Sequence, residues 1–456
     1  MKKNAKTPLL RLLGSAFRSS LADEPAAKPA PFNGEIKRRD FLKSSLAVAG
    51  LAALSRLTGV DALAAGVVPR IAIVGGGLAG LTAAHYLKRA GYCATIYEAS
   101  SGKAWGRIQT RQAANGLTAE LGGEFIDSNH ADMLRLAREF RLPLIDIAAN
   151  VRRNRLSGDT FYFNGREYSE AEVIREFRSV NGRFPINGRI AADAASLPDQ
   201  ITYRTQPLTP ILTTLDRTSI EAYLTGQLHL TSADLLYRLL DAAYTSEFGL
   251  AIGDQSALNL LTMIDPDTQR GFKVFGDSDE RFKIRGGNAR LIEAMVKRLS
   301  SQIETGRKLQ AIRPQGSGFS LHFDAGREVT ADFLILALPF STLRGVDLIA
   351  LDLTPKKRLA ITDLGYGTNA KLLLDVSSRG WRKQHRSGYL FNETVQNGWD
   401  NSLGQNGDRG AGGYTVFVGG QPGEDLGRDG GYDAVRSGHD NRSDTAAASP
   451  SARNPY

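Results

Sequence analysis

The clearest pattern of apolar and polar residues in the chain lies near residue 70. The β-branched run Ile71–Val74 predicts a buried strand, and glycines follow it at once. Apolar residues then recur at helical spacing over Leu81–Ala90, with Gly91 as a stop signal, before a second strand at Cys93–Tyr97. Strand, glycine turn, helix and strand in this order predict the βαβ unit of a dinucleotide-binding fold.

The glycine spacing within this unit predicts how a pyrophosphate would be held. Gly75 permits a tight turn, Gly77 lets the backbone approach the ligand, and Gly80 lets the helix pack closely. Backbone N–H groups at the helix start, Leu78–Ala79, would face the anion. Glu98, about 20 residues further on, is suited to the ribose hydroxyls. A glycine-rich turn without a ligand is the alternative interpretation.

Beyond this unit the apolar spacing becomes mainly helical. Helices are predicted at Ala131–Phe140, Ser169–Ser179, Ile220–Leu228 and Ser232–Phe248. The run Ala331–Leu338 instead predicts a fully buried strand that Pro339 ends.

The N-terminal region resembles a twin-arginine export signal. Arg38 and Arg39 precede the apolar run Ser44–Leu57, and the small residues of Ala62–Ala64 supply a cleavage pattern. The run is too short to predict a stable membrane span. A periplasmic or secreted protein is therefore expected, with the export machinery as a partner. The alternative is an accidental arginine pair before a core helix.

Composition narrows the remaining classes. The formal net charge is +9 over 456 residues, but basic and acidic residues are interspersed, so no nucleic-acid partner is expected. Cys93 is the single cysteine, which excludes an intramolecular disulfide, and it is expected to be a small buried hydrophobe. The six histidines lack metal-binding spacing, so no metal site is predicted.

The segment after Glu98 resembles the flavin-containing amine oxidase family, in which an arginine- and glycine-rich stretch lies along the FAD diphosphate. The resemblance assigns cofactor binding to Ala99, Lys103, Gly106 and Arg107. Lys103 replaces an arginine of the family and keeps the charge without its bidentate geometry. Trp105 replaces a glycine at a position where backbone normally approaches the cofactor.

Two later segments extend the resemblance. Leu121, Gly122, Gly123 and Glu124 match the stretch that lies beside the flavin in the family. Lys371 matches the lysine that acts on the flavin N5 through a water, and it is the candidate catalytic residue. The alternative for Lys371 is a solvated strand lysine.

The resemblance implies an α/β fold, with a Rossmann-like FAD-binding domain and an inserted, largely helical substrate domain of α+β type. The predicted boundaries are 1–65 for the leader and signal, 66–130 and 281–345 for the FAD-binding domain, 131–280 and 346–426 for the substrate domain, and 427–456 for an aberrant tail. The tail is rich in Gly, Ser, Asp and Arg and is expected to be disordered. Truncation or a frameshift is the expected cause, with weak FAD binding as its result.

The function implied by the resemblance is FAD-dependent oxidation of a primary amine or polyamine. The product is an imine that hydrolyses to an aldehyde, and oxygen is reduced to hydrogen peroxide. An L-amino acid oxidase is the nearest alternative, but Glu124–Ile126 offers no arginine for a substrate carboxylate. A non-functional remnant that binds FAD poorly is the other alternative.

Overall fold

The computed structural model describes residues 68–102, 105–113, 116–179, 184–202, 205, 208–405 and 410–428. The export signal, Lys103 and nearly all of the predicted tail lie outside the described residues. Within the described part, none of the helices has the length and apolar character needed to cross a membrane.

The strands of the described residues are β1 Ile71–Val74, β2 Ala94–Tyr97, β3 Thr110–Gln112, β4 Thr118–Glu120, β5 Leu144–Asp146, β6 Thr160–Phe163, β7 Arg166–Tyr168, β8 Phe282–Ile284, β9 Ile303–Glu304, β10 Leu309–Gln315, β11 Gly318–Phe323, β12 Glu328–Ala331, β13 Phe333–Leu336, β14 Asn369–Val376, β15 Leu390–Asn392, β16 Gln396–Asp400 and β17 Gly412–Gly419. The α-helices are Leu78–Arg89, Ala131–Glu139, Ile147–Arg153, Glu170–Arg178, Ile186–Ala195, Pro210–Arg217, Ile220–Ala222, Leu235–Phe248, Ala257–Leu261, Ala289–Leu299, Phe340–Leu343, Pro355–Asp363 and Gly420–Gly427.

The described residues divide into two compact units. The first contains the residues up to Ile108 and Ile292–Leu364, and the second contains Gln109–Leu291 and the residues from Gly365 onward. These divisions differ from the predicted domain boundaries, because 109–130 and 281–291 group with the second unit and 346–364 with the first. The assignment of functional domains therefore stays a prediction.

The first unit is built on a parallel sheet in the order β13-β1-β2-β9. Its apolar β1 is central and fully buried, as its β-branched sequence predicts. The predicted strand at 331–338 forms β13, but every one of its residues is only half-buried. The expectation of full burial was wrong, because β13 is an edge strand of the described sheet and has one neighbour.

Two further features complete the first unit. A three-stranded antiparallel sheet, β10-β11-β12, packs its apolar side chains into the same core as Ala72 and Val74. Cys93 is exposed and precedes β2, so the expectation of a buried hydrophobe was wrong. The strand begins one residue later, at Ala94, and Cys93 belongs to the turn that follows the first helix.

The second unit contains a six-stranded mixed sheet in the order β14-β17-β16-β15-β6-β7. Helices pack against it around a large apolar core that includes Phe161, Phe177 and Leu239. The helix Leu235–Phe248 lies within this core, and Tyr244 is completely buried and donates to the carbonyl oxygen of Val274 at 3.0 Å. Tyr244 therefore serves helix packing.

The predicted helices are present with small changes at their ends. Ser169 and Glu172 form a capping box at the start of the helix Glu170–Arg178, which fixes its first residue. The helix predicted at Ile220–Leu228 becomes one short α-turn followed by the π-helical turn Tyr223–Gln227.

Candidate active site

The glycine turn of the first unit has the geometry that its spacing predicts. Gly75 has φ of +106°, and a Cβ there would lie 2.6 Å from the carbonyl oxygen of Ala337. A Cβ at Gly80 would lie 2.0 Å from the carbonyl oxygen of Gly75, so no larger residue fits this crossing of helix and strand. The helix begins at Leu78, and no side chain caps its N-terminus. Its first N–H groups therefore remain suited to an anion.

Glu98 follows β2 and is anchored by backbone donors. Its Oε2 accepts from the N–H of Gly76 at 2.7 Å, and its Oε1 accepts from the N–H of Ser100 at 2.9 Å. Each carboxylate oxygen can accept more than one hydrogen bond, so the fixed carboxylate retains lone pairs for hydroxyl donors.

The diphosphate segment approaches the same turn through its backbone. Gly106 has φ of +72°, and a Cβ there would lie 3.1 Å from the Cα of Gly77. Trp105 packs instead on Gly76, where a Cβ would meet its ring at 2.9 Å. The bulky Trp105 ring is therefore in contact with Gly76 and not with Gly77. The nearest atom to a Cβ built at Gly77 would be the Cα of Gly106, at 3.7 Å. These residues fit a dinucleotide.

Other candidate cofactor residues differ in exposure. Ala79, Ala99, Arg107, Leu121 and Gly123 are exposed, with Leu121 keeping 47% of its accessible surface. Glu124, by contrast, is buried, and Leu78 and Gly122 are half-buried.

Lys371 lies on β14 of the second unit and is not a solvated strand lysine. Its side chain is 14% exposed. Its Nζ donates to the carbonyl oxygen of Gly122 at 2.9 Å and to Oε2 of Glu124 at 3.1 Å, and more weakly to the carbonyl oxygen of Glu120 at 3.4 Å. The acid-Leu-Gly-Gly segment and Lys371, which are 247 residues apart at Glu124, are thus brought together within one unit.

Aromatic rings surround this ammonium group. The Nζ atom of Lys371 lies 5.4 Å from the ring centroid of Trp399 and 5.9 Å from that of Phe417, within the range of cation–π attraction. The indole Nε1 of Trp399 also donates to Oε1 of Glu124 at 3.0 Å. Trp399 therefore belongs to this group of residues.

Lys283 was not among the site residues predicted from the sequence. It lies on β8, its side chain is 5% exposed, and its Nζ donates to Oε1 of Glu124 at 3.2 Å. The one signal for it in the sequence was a lysine between two apolar residues, Phe282 and Ile284, just before a glycine turn. Alternation places such a lysine on the opposite face of a strand but does not show whether that face is buried.

Glu120 is buried beneath the same segment. Burial raises its pKa, although the N–H of Asn288 at 2.8 Å and the hydroxyl of Thr110 at 2.9 Å donate to it and oppose the shift. These two hydrogen bonds fasten the strand that leads into the Leu-Gly-Gly stretch.

A group of carboxylates in the second unit influence one another. Burial raises the pKa of Glu280 to about 8, and Glu247 and Asp159 add to this shift through like-charge repulsion. Burial also raises the pKa of Asp159 to about 6, although that residue retains accessible surface. We call Asp159, Glu247 and Glu280 the carboxylate group.

An aromatic pair connects the carboxylate group with Trp399. Tyr389 is hydrogen-bonded to Glu280, and its ring stacks on that of Trp399 with centroids 6.1 Å apart and planes 20° apart. The amide of Asn397 donates to the Tyr389 hydroxyl at 3.1 Å. Acidic and aromatic side chains therefore accompany Lys371 in the second unit.

A glycine turn at the N-terminus of a helix, with an acid after the second parallel strand, is the arrangement of a dinucleotide-binding fold. The family model described as flavin containing amine oxidoreductase matches residues 78–429, and a twin-arginine translocation signal matches residues 35–55. The chain belongs to the flavin-containing amine oxidoreductase family, and its cofactor is FAD. The signal indicates export across the membrane, to the periplasm or the exterior.

Curated relatives are distant. The chain is 25% identical over 340 residues to the putative L-amino-acid oxidase YobN of Bacillus subtilis, covering 70% of this chain and 66% of that protein. It is 25% identical over 377 residues to an L-glutamate oxidase precursor of Streptomyces viridosporus, covering 68% of this chain and 54% of the precursor. The chain thus spans between about half and two thirds of the length of these relatives.

Solved structures share the fold. A variant of putrescine oxidase superimposes with a TM-score of 0.64 at 19% identity, covering 81% of this chain and 80% of that one. Cyclohexylamine oxidase from Brevibacterium oxydans gives a TM-score of 0.63 at 19% identity, covering 81% and 79%. At this identity the likeness confirms the predicted α/β fold class alone.

Proposed function

We propose that this protein oxidises an amine to an imine, which water hydrolyses to an aldehyde, with oxygen reduced to hydrogen peroxide. When bound, FAD would supply the two-electron acceptor that this reaction requires, with oxygen as the final acceptor. The observation that carries the proposal is the partly buried Lys371 ammonium, fixed by Glu124 and Gly122 beside the ring of Trp399.

The residues of the glycine turn would hold the adenosine diphosphate half of FAD. The first N–H groups of the helix at Leu78–Arg89 would donate to the diphosphate, and Glu98 would accept from the ribose hydroxyls. Arg107 adds an exposed cation in the diphosphate segment. Leu121, Gly122, Gly123 and Glu124, with Lys371, would serve the flavin half.

Lys371 has the donors needed to assist oxygen chemistry. An ammonium group has three N–H donors, and two of those of Lys371 make hydrogen bonds of 2.9 and 3.1 Å. The third reaches the carbonyl oxygen of Glu120 only at 3.4 Å, so breaking this weak hydrogen bond costs the least free energy of the three. We propose that this N–H orients a water and stabilises negative charge that develops on oxygen.

The charges of the second unit support an amine as the substrate. Lys371 and Lys283 both pair with Glu124, so neither is an uncommitted cation for a carboxylate. At neutral pH Asp159, whose pKa is raised to about 6, is mostly ionised and would attract an ammonium group and repel a carboxylate, whereas Glu280, with a pKa of about 8, is mostly uncharged. We therefore propose a primary amine or a polyamine as the substrate.

An L-amino acid oxidase is the second candidate, and the curated relatives favour it. Against it, Phe125 stands where a carboxylate-binding arginine would be expected after the Leu-Gly-Gly stretch. The substrate's α-carboxylate would then need a cation from elsewhere in the chain.

The test is a substrate panel with the full chain reconstituted with FAD. Anaerobic bleaching of the oxidised flavin would be followed with primary monoamines, linear diamines and polyamines, neutral L-amino acids and L-glutamate. Bleaching by amines, with one peroxide released per amine consumed in air, is the expected result. Bleaching by L-amino acids alone would establish the second candidate, and a chain that retains no flavin would favour the remnant.

A further inference from the structure

A buried lysine and a partly buried lysine share one buried glutamate in the second unit. The side chains of Lys283, Glu124 and Lys371 are 5%, 2% and 14% exposed, and we call them the two-lysine cluster. Lysine and glutamate are rarely buried unless they are paired. Glu120, which is also buried, interacts electrostatically with Glu124 and Lys283, but its oxygens accept from the N–H of Asn288 and the hydroxyl of Thr110. Both ammonium groups contact the carboxylate of Glu124 instead, so the second of these contacts needs its own explanation.

The two lysines bind different oxygens of the same carboxylate. Oε1 of Glu124 accepts from Lys283 Nζ at 3.2 Å and from Trp399 Nε1 at 3.0 Å, and Oε2 accepts from Lys371 Nζ at 3.1 Å. Rotation of the carboxylate would break bonds on both sides. The position of Oε2, and with it that of the Lys371 ammonium, is therefore set by the two donors on Oε1.

Lys283 is itself well anchored. Its Nζ also donates to the carbonyl oxygen of Asn401 at 2.8 Å and lies 5.7 Å from the ring centroid of Phe125. Its strand, β8, pairs with β5 over Leu144–Asp146. Lys283 therefore acts as a fixed point, whereas Lys371 keeps one weakly used donor.

Removing Lys283 would change the charge balance at Glu124. The carboxylate would retain Lys371 as its single cationic partner, and in a buried site this attraction is strong. The Lys371 ammonium would then be drawn onto the carboxylate and would lose the position it has between Glu124 and the Gly122 carbonyl oxygen. The second cation balances this pull.

We propose that Lys283 is a positioning residue for the oxidative half-reaction: it holds Glu124, and through Glu124 it fixes the Lys371 ammonium for the reoxidation of reduced flavin by oxygen. This inference rests on the proposed function. Lys283 acts through other residues, so its loss should affect the oxidative half-reaction and leave the reduction of flavin by amine nearly unchanged.

The first test compares half-reactions in the full chain reconstituted with FAD. Flavin is reduced anaerobically with dithionite, mixed with oxygen, and its reoxidation rate is measured per bound flavin. We expect Lys283→Met to slow reoxidation about tenfold, the scale of one modest interaction, and Lys283→Arg to restore most of the rate. Lys273→Met, which removes a half-exposed lysine paired with Asp265 at 3.7 Å, is the matched control and should match the parent.

The double variant shows whether Lys283 acts through Lys371. Lys283→Met combined with Lys371→Met should reoxidise no more slowly than Lys371→Met alone, because the positioned group is already absent. If the double variant instead reoxidised more slowly than Lys371→Met, by the product of the two single effects on the rate, the proposal would be overturned. If Lys283→Met fails to fold, Lys283→Gln replaces it, because glutamine removes the charge and retains a donor for the Asn401 carbonyl oxygen. A parental reoxidation rate in Lys283→Gln would also overturn the proposal.

A second readout needs no flavin. The chain has three tryptophans, and 5-fluorotryptophan labelling gives each a fluorine resonance in the apoprotein, with that of Trp399 assigned by Trp399→Phe. Lys283→Met and Glu124→Gln should shift this resonance, and Lys273→Met should not. If the Trp399 resonance shifts in Lys283→Met but the reoxidation rate stays parental, Lys283 has a purely structural role and the proposal is refuted.

These experiments are separable from the substrate assignment. Dithionite reduction and oxygen reoxidation do not depend on any amine, so a chain that oxidises no member of the panel would refute the proposed function while still testing Lys283. An active amine oxidase with parental reoxidation in both Lys283→Met and Lys283→Gln would refute the role of Lys283 alone.

Discussion

Replacing Glu280 with glutamine tests whether the carboxylate group is as strained electrostatically as the structure indicates. Burial and the neighbouring acids Glu247 and Asp159 raise the pKa of Glu280 from 4.5 to about 8. Glutamine has nearly the same size and can keep a hydrogen bond to Tyr389, but it does not ionise. The substitution therefore removes one charge with little change in packing.

The sign and size of the effect follow from linkage. The folded-state pKa of Glu280 is raised, so its contribution to stability is fully present below pH 4.5 and is lost as the pH rises through 8. A difference of about 3.5 units corresponds to about 5 kcal/mol. This is an upper value, because Glu247 and Asp159 relax once Glu280 is ionised and partial solvent access screens the charges.

The assay is urea unfolding of the apoprotein between pH 4 and pH 9.5, followed by circular dichroism. We expect parent and Glu280→Gln to have similar free energies of unfolding near pH 4, to diverge as the pH rises from about 4.5 to about 8, and to keep a constant difference above that, with the variant more stable by a few kcal/mol at pH 9.5. The neighbouring exposed acid Asp277, replaced by asparagine, is the control for general charge removal. Parallel pH profiles for parent and Glu280→Gln would refute a raised pKa at this position.

Three further predictions concern the cofactor, the oxygen chemistry and export. Glu98→Ala should weaken FAD binding by about one to two orders of magnitude, the equivalent of one charge-assisted hydrogen bond of about 1.5–3 kcal/mol; equal affinity in a flavin titration would make Glu98 an ordinary strand-end acid. Lys371→Met should slow flavin reoxidation while anaerobic reduction by the amine stays near normal, and stopped-flow absorbance would show the opposite pattern if the lysine acted on amine oxidation. Replacement of both Arg38 and Arg39 by lysine should retain the precursor in the cytoplasm; cell fractionation that finds the variant exported as efficiently as the parent would contradict the signal.

Local sequence was sufficient for the nucleotide unit. Gly75 and Gly80 are dictated by backbone geometry over a few residues, because any Cβ there would meet a carbonyl oxygen at 2.6 and 2.0 Å. The capping box of Ser169 and Glu172 likewise fixes a helix start within four residues. Such features are encoded by short-range sterics and hydrogen bonds, so a single sequence reveals them.

The burial of individual side chains was harder to predict from the sequence than the local backbone geometry. Alternation in Phe282–Ile284 put Lys283 on the opposite face of its strand from two apolar residues, but the packing of β8 decided that this face is buried. Cys93 and β13 were predicted to be buried and are more exposed than that. Their exposure depends on where the strand begins and on whether a strand has one neighbour or two.

The sequence by itself determined the cofactor class, the export signal and the glycine geometry, since each depends on residues close together in the chain. Only the tertiary structure decided that Glu124, Lys283 and Lys371 meet, because those contacts join residues 159 and 247 positions apart. The ammonium and carboxylate groups stabilise one another because they lie 3.1–3.2 Å apart and are largely shielded from solvent. No periodicity along the chain encodes contacts between residues so far apart in sequence.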